Sequence, residues 1–181
     1  VSDEESRDPR KSAAIVYDDG VAVDELLLVF ARDLVDLGVR IGGVLQLPRR
    51  AEGCGPDAPM RVCDIATGEE MAICTRVGAD ECALDFALLR GAAERVRAAT
   101  DSGVELILVS RFGRAEMRGA GFSAALVHAA RRGRPVLTAV RRGHADRWIA
   151  SNGGTATLLD ARLWVLKNWW AELVRTQAHA A

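Results

Sequence analysis

The opening third of the chain constrains the fold most. Ala13-Ala14-Ile15-Val16-Tyr17 is a short apolar run, and Asp18-Asp19-Gly20 is a turn signal. Asp24 to Leu37 then carries Leu27, Phe30, Leu34 and Leu37 at helical spacing, and Val39 to Leu47 is apolar again. Asp24 and Glu25 suit the first turn of that helix, where carboxylates complement the dipole, and Gly38 suits its end. Strand, turn, helix and strand make a βαβ unit, whose strands run parallel because the helix is the crossover.

The pattern returns in the second half. A helix is expected from about Asp85 to Ser102, with Phe86, Leu89, Ala93 and Val96 on one face, and Gly103 ends it. A strand over Glu105 to Ser110 follows, then a helix over Phe122 to Ala130 and a strand over Val136 to Val140. Arg141 to Trp148 opens a short helix that Asn152-Gly153-Gly154 breaks; an edge strand over Thr155 to Leu159 and a helix over Arg162 to Thr176 complete the chain. Between the halves, Met60 to Thr75 reads as a hairpin turning at Ala66-Thr67-Gly68-Glu69, while Pro48 to Pro59 and Arg76 to Cys82 read as loops. These patterns predict one α/β domain over residues 13–181, three-layered, with a mainly parallel sheet and an inserted β-hairpin. Residues 1–12 are expected to form a disordered arm.

Lys and Arg together number 24 against 25 Asp and Glu, with the arginines scattered, so the electrostatic footprint of a nucleic-acid binder is missing. No apolar run is long enough to span a bilayer, and the polar stretch Ser2 to Lys11 has no signal-peptide core. The expectation is a cytoplasmic protein with neither a membrane nor a nucleic acid as partner. Cys54, Cys63, Cys74 and Cys82 contain no Cys-x-x-Cys pair and read as thiols. Cys63 and Cys74 fall in apolar strand patterns and are expected to be inert core residues. Cys54 and Cys82 fall in loop-like sequence, which makes them the expected reactive pair and the candidate soft metal ligands.

Two stretches are candidates for chemistry. The first is Val109 to Gly121, a charged, glycine-bearing turn delivered by a buried strand, placed where open α/β sheets put their ligands. Here Arg111, Arg114 and Glu116 are the candidate side chains, Gly113 lets the backbone bend, and Phe112 buries beneath. A small anion held by Arg111 suits this arrangement, since guanidinium is a planar fork of donors; a turn fastened by an Arg111–Glu116 pair accounts for the same residues. The second stretch is Asp18-Asp19-Gly20, between the first strand and its helix. A phosphate-binding loop there requires Gly-x-x-x-x-Gly-Lys-Ser/Thr. Tyr17 to Glu25 keeps one glycine, lacks the Lys and the hydroxyl, and puts acids where phosphates would lie.

The order of these features resembles a bacterial domain-of-unknown-function family. The residues that carry the likeness are Ala14 to Tyr17, Gly42-Gly43-Val44-Leu45-Gln46, Asp64 to Gly68, Cys82 to Asp85 and Pro135 to Val140. The most specific is Ser110-Arg111-Phe112-Gly113-Arg114-Ala115-Glu116 with Gly119 and Gly121. Members are often encoded near molybdenum-related functions. In layout the chain is also similar to the thermophile-type P-loop nucleoside-triphosphatases, which implies a P-loop-NTPase-like three-layer domain. In those enzymes the strand matching Glu105–Ser110 ends in an acidic pair serving magnesium and water; here Ser110 and Arg111 stand there. The resemblance therefore implies a degenerate scaffold: a non-hydrolytic binding or regulatory protein for a nucleotide, an oxyanion such as molybdate, or a pterin-like cofactor, linked to molybdenum metabolism. The competing reading is a diverged nucleoside-triphosphatase or transferase in which Glu116, Asp18, Asp19 or Asp24 holds magnesium or acts as base. The final helix carries Leu163, Leu166, Trp170 and Leu173 as a stripe, with Trp164 and Trp169 off it. Tryptophans on two sides suit a homodimer through this helix or a helix seated in a groove of its own domain.

Overall fold

The computed structural model describes residues 8–48, 60–77 and 81–180, the side chains of 76, 77, 81, 82, 179 and 180 excepted. Of the expected arm, residues 1–7 lie outside that range, and Pro9–Lys11 form one 3-10 turn capped by Asp8. In chain order the elements are β1 (Ser12–Tyr17), α1 (Val23–Asp36), β2 (Ile41–Gln46), β3 (Arg61–Asp64), β4 (Glu70–Ala72), β5 (Cys74–Val77) and β6 (Glu81–Leu84). They continue with α2 (Phe86–Asp101), β7 (Leu106–Phe112), α3 (Arg114–Met117), α4 (Ser123–Arg131), β8 (Val136–Arg141), α5 (Ala145–Ser151), β9 (Thr157–Asp160) and α6 (Leu163–Ala180).

Among the described residues, seven strands form one sheet in the order β4-β3-β2-β7-β8-β1-β9. The run from β2 to β9 is parallel, and β3 and β4 add an antiparallel edge. Fully covered parallel strands must be apolar on both faces; Leu106, Ile107, Leu108 and Val109 of β7 are all 0% exposed. One face packs on α1 and α6, burying Leu27, Phe30, Leu166 and Leu173 against Ile15, Leu108 and Leu137. The other packs on α2, α4 and α5, burying Val96, Leu126 and Trp148 against Val44, Ile107, Val109 and Val140. Gly43 lets β2 close on β7: its φ is +115°, and a Cβ there would collide with the Leu108 carbonyl oxygen. The result is the expected three-layer α/β domain with a mainly parallel sheet and an inserted hairpin, β3–β4. Asp64 closes that hairpin, its Oδ1 accepting from the Ala66 N–H at 2.9 Å.

Several local expectations change. Arg76, Val77, Glu81 and Cys82, expected in a loop, lie instead on the paired antiparallel strands β5 and β6. The central strand does not stop at Ser110: β7 runs on to Phe112, its register to β8 shifting between Val109 and Phe112. Arg111 is therefore a strand residue, not the first residue of a turn. Trp169 does not face outward. It is 5% exposed, and its Nε1–H donates to the Arg10 carbonyl at 2.9 Å, so α6 seats in a groove of its own domain. Cys74 is disulfide-bonded rather than an inert thiol, whereas Cys63 is free. Burial pushes the Cys63 thiol pKa up, helped by Glu70 and Asp64. No helix among the described residues is long and apolar enough to cross a membrane.

Candidate functional site

The carboxyl ends of β1, β7 and β8 share one edge of the sheet because these strands are parallel and β8 lies between the other two. The β1–α1 turn brings Asp18, Asp19 and Gly20 to this mouth, and the first turn of α1 brings Asp24. Gly20 has a φ of +87°, which the tight turn needs. The strand ends opposite supply Arg111 from β7 and Arg141 from β8, with Arg142 next in the chain.

These groups meet in three Asp–Arg pairs. Arg111 Nε–H donates to Asp24 Oδ1 at 3.1 Å and its Nη2–H to Oδ2 at 2.5 Å, a two-bonded fork. The same guanidinium lies 5.6 Å from the Tyr17 ring centroid. Arg142 binds Asp18 through Nε at 3.0 and 3.1 Å and through Nη2 at 2.9 Å. Arg141 pairs with Asp19. The inner pair is the sheltered one, with Asp24 12% and Arg111 37% exposed at the side chain, against 60% and 65% for Asp18 and Arg142. Burial works against the Arg111 charge, but the Asp24 carboxylate, helped by Tyr17, outweighs it and holds the pKa above its ordinary value. Hydrogen bonds from Arg142 hold Asp18 below the usual carboxylate range. Three acids and three bases thus neutralise one another where the expected ligand site lies.

The second stretch divides differently. Glu116 is 9% exposed, and its carboxylate is taken by the protein's own backbone. Oε2 accepts from the Gly113 N–H at 2.8 Å and Oε1 from the Phe122 N–H at 3.1 Å, while Ser123 Oγ donates to the Glu116 carbonyl at 2.8 Å. Glu116 is the pin of the loop from β7 to α4, and it pairs with neither Arg111 nor Arg114. Gly113 is extended at φ −131° and needs no glycine. The position that does is Gly121, at φ +58°, where a Cβ would run into Glu116 Oε1. Arg114 points to solvent and makes no ion pair among the described residues. Ser110 is buried, and its hydroxyl accepts from the Gln46 N–H, tying β2 to β7.

Cys54 lies outside the described residues, as does the side chain of Cys82. Among the described residues no three His, Cys, Asp or Glu side chains gather in a metal-binding group. Arg141 and Arg142, which the sequence pattern places at the opening of a helix, are functional candidates that periodicity does not single out. They stand at the carboxyl end of a buried strand, as Arg111 does, and the rule that singles out Arg111 applies to them equally.

The model of the family described as "Protein of unknown function (DUF2478)" matches residues 12–169. The chain is 38% identical over 167 residues to the "Molybdenum import ATP-binding protein ModC 2" of Bradyrhizobium diazoefficiens. That match takes in 91% of this chain but 18% of that protein, so the chain spans less than a fifth of this relative's length. Among solved structures it is similar to a human cancer-related nucleoside triphosphatase, with a TM-score of 0.65 at 15% identity over 82% of this chain and 87% of that one. This last likeness is one of fold.

Proposed function

We propose that this chain, which belongs to the DUF2478 family, is a non-hydrolytic binding or regulatory module on a degenerate P-loop-type scaffold, serving molybdenum metabolism. The observation that carries the reading is the triad of Asp–Arg pairs at the mouth. A magnesium–nucleotide complex needs a cation and a hydroxyl at the start of α1 and an acid at the end of β7. The chain has the reverse, Asp24 on α1 and Arg111 on β7, bonded to each other. The residues do not fit magnesium and a nucleotide tail. The acids that a diverged hydrolase would use are engaged: Asp18, Asp19 and Asp24 by arginines, Glu116 by backbone N–H groups.

The ligand this reading assigns to the mouth is one compact oxyanion, such as molybdate, held by Arg111 after Asp24 releases it, with Arg114 adding charge. The kinship to a protein named for molybdenum import supports this choice of anion. A homodimer through α6 belongs to the same reading, with Trp164, 60% exposed, at its centre.

Turnover of ATP and GTP with magnesium by purified protein tests the first part, and the expected rate is that of a blank. Robust turnover that disappears in Asp24→Asn would overturn the reading. A thermal-shift series with molybdate, tungstate, ATP and GTP tests the second part, since a ligand of the folded state raises the melting temperature by mass action. Molybdate and tungstate are expected to raise it and the nucleotides not. In sedimentation, Trp164→Glu is expected to halve the observed mass.

A further inference from the structure

Phe112 follows Arg111 in β7 but faces the other side of the sheet, where it lines a cavity of about 410 Å³. The cavity lies beneath α4 and α5 and reaches the start of β1. Its apolar walls are Phe112, Met117, Leu126, Ala130 and Trp148, with the Phe112 and Trp148 rings 5.2 Å apart at 72°. The volume is in the range that small-molecule sites occupy.

Its polar groups are unbalanced. The carboxylates in its lining are already engaged: Asp8 by Arg10, Glu116 by two backbone N–H groups. The donors are not. Trp148 is 2% exposed and its Nε1–H has no partner; Arg134 Nε is likewise buried and unpartnered. Thr138 Oγ1 completes the set of such atoms among the described residues. It sits on β8 between Val136 and Val140, which pack with Trp148, so it belongs to the same face. Buried polar groups are rarely left unpaired, and two of these three, on Trp148 and Arg134, belong to side chains that line the cavity. Lys11, also in the lining, adds a cation whose charge acts on Asp8 but which makes no ion pair among the described residues.

We propose that this cavity binds a small aromatic acid, its planar body against Phe112 and Trp148 and its carboxylate or phosphate met by Arg134 and Lys11. The site is separate from the mouth and does not depend on what the mouth holds. The probes are 1-naphthoate and phenyl phosphate, with 1-naphthamide as the neutral match, titrated into ¹⁵N-labelled protein. The expected result is a saturable shift of the Trp148 indole N–H cross-peak, identified by its loss in Trp148→Phe. Arg134→Gln and Lys11→Gln are each expected to weaken binding about tenfold or more, as loss of a charge-assisted hydrogen bond does. Ala130→Phe should fill the cavity and abolish binding, while Arg111→Gln should leave it unchanged. Arg134→Gln keeps the test decisive if Ala130→Phe does not fold. No saturable shift with either acid at millimolar concentration overturns the proposal, as does binding that survives both Arg134→Gln and Lys11→Gln. Equal binding of 1-naphthamide overturns the assignment to acids.

Discussion

Asp24 and Arg111 illustrate how one side chain sets the meaning of another. A guanidinium at the end of a central strand has the chemistry of an anion receptor, but here its fork is filled by a carboxylate of the same chain. Removing either partner strands the other in a half-sheltered place. Asp24→Asn and Arg111→Gln are each expected to destabilise by about 1–2 kcal/mol, a figure discounted for solvent screening because Arg111 is partly exposed. The double variant should recover part of that loss, measured by urea midpoints in a double-mutant cycle. Glu116 and Gly121 form a second coupled pair. Gly121→Ala forces a Cβ into the left-handed region and against the carboxylate, for an expected cost of about 1–3 kcal/mol. Gly113→Ala should be close to neutral, because its backbone is extended and the nearest atom a Cβ would meet is 3.7 Å away. Equal effects at the two glycines would contradict the assignment of Glu116 as the pin of the loop.

At the scale of elements, α6 carries two kinds of tryptophan. Trp169 and Trp170 are buried against α1 and the sheet, whereas Trp164 is open. Truncating a buried aromatic costs about 3–5 kcal/mol, so Trp169→Ala is expected to fall in that range and Trp164→Ala within about 0.5 kcal/mol of the parent in dilute monomer. Chemical denaturation followed by far-ultraviolet circular dichroism reads both. The strands differ in the same way. β1, β7 and β8 are paired on both edges, and β4 lies at an edge. Amide exchange should therefore be slowest in Ile15, Leu108 and Ala139 and fastest among these strands in β4.

The whole molecule is close to neutral, at a formal charge of −1, and several of its described acids are held by basic side chains. Asp8, Asp18 and Asp101 have pKa values held down by side-chain hydrogen bonds from Arg10, Arg142 and His128 respectively. A carboxylate whose folded pKa is depressed adds stability above its unfolded pKa, near about 3.9, and loses it as pH falls through the folded value. The melting temperature is accordingly expected to hold from neutrality down to about pH 4 and to fall below it. These pairs are exposed, so the drop should shrink in high salt. A melting temperature that rises on acidification would contradict the pairing.

Periodicity alone determined the α/β class, the parallel sheet, the β3–β4 hairpin and the position of the mouth. Each follows from local spacing: apolar runs for strands covered on both faces, i to i+3 and i+4 stripes for helices, glycine and aspartate for turns. The charge reversal between the β1–α1 turn and the end of β7 was also legible, since it is a matter of which residue types are present. What only the tertiary structure decided was which side chain meets which. Arg111 meets a carboxylate 87 residues away and Arg142 one 124 residues away, because β8 enters the sheet between β7 and β1. An Arg111–Glu116 pair was the nearer choice along the chain, but the continuation of β7 to Phe112 turns Arg111 toward α1 while the loop closes around Glu116 on the other side. The cavity beside Trp148 has no sequence signature for the same reason: its walls come from β7, α3, α4 and α5, and its unpartnered donors are defined by what fails to reach them once the chain has packed.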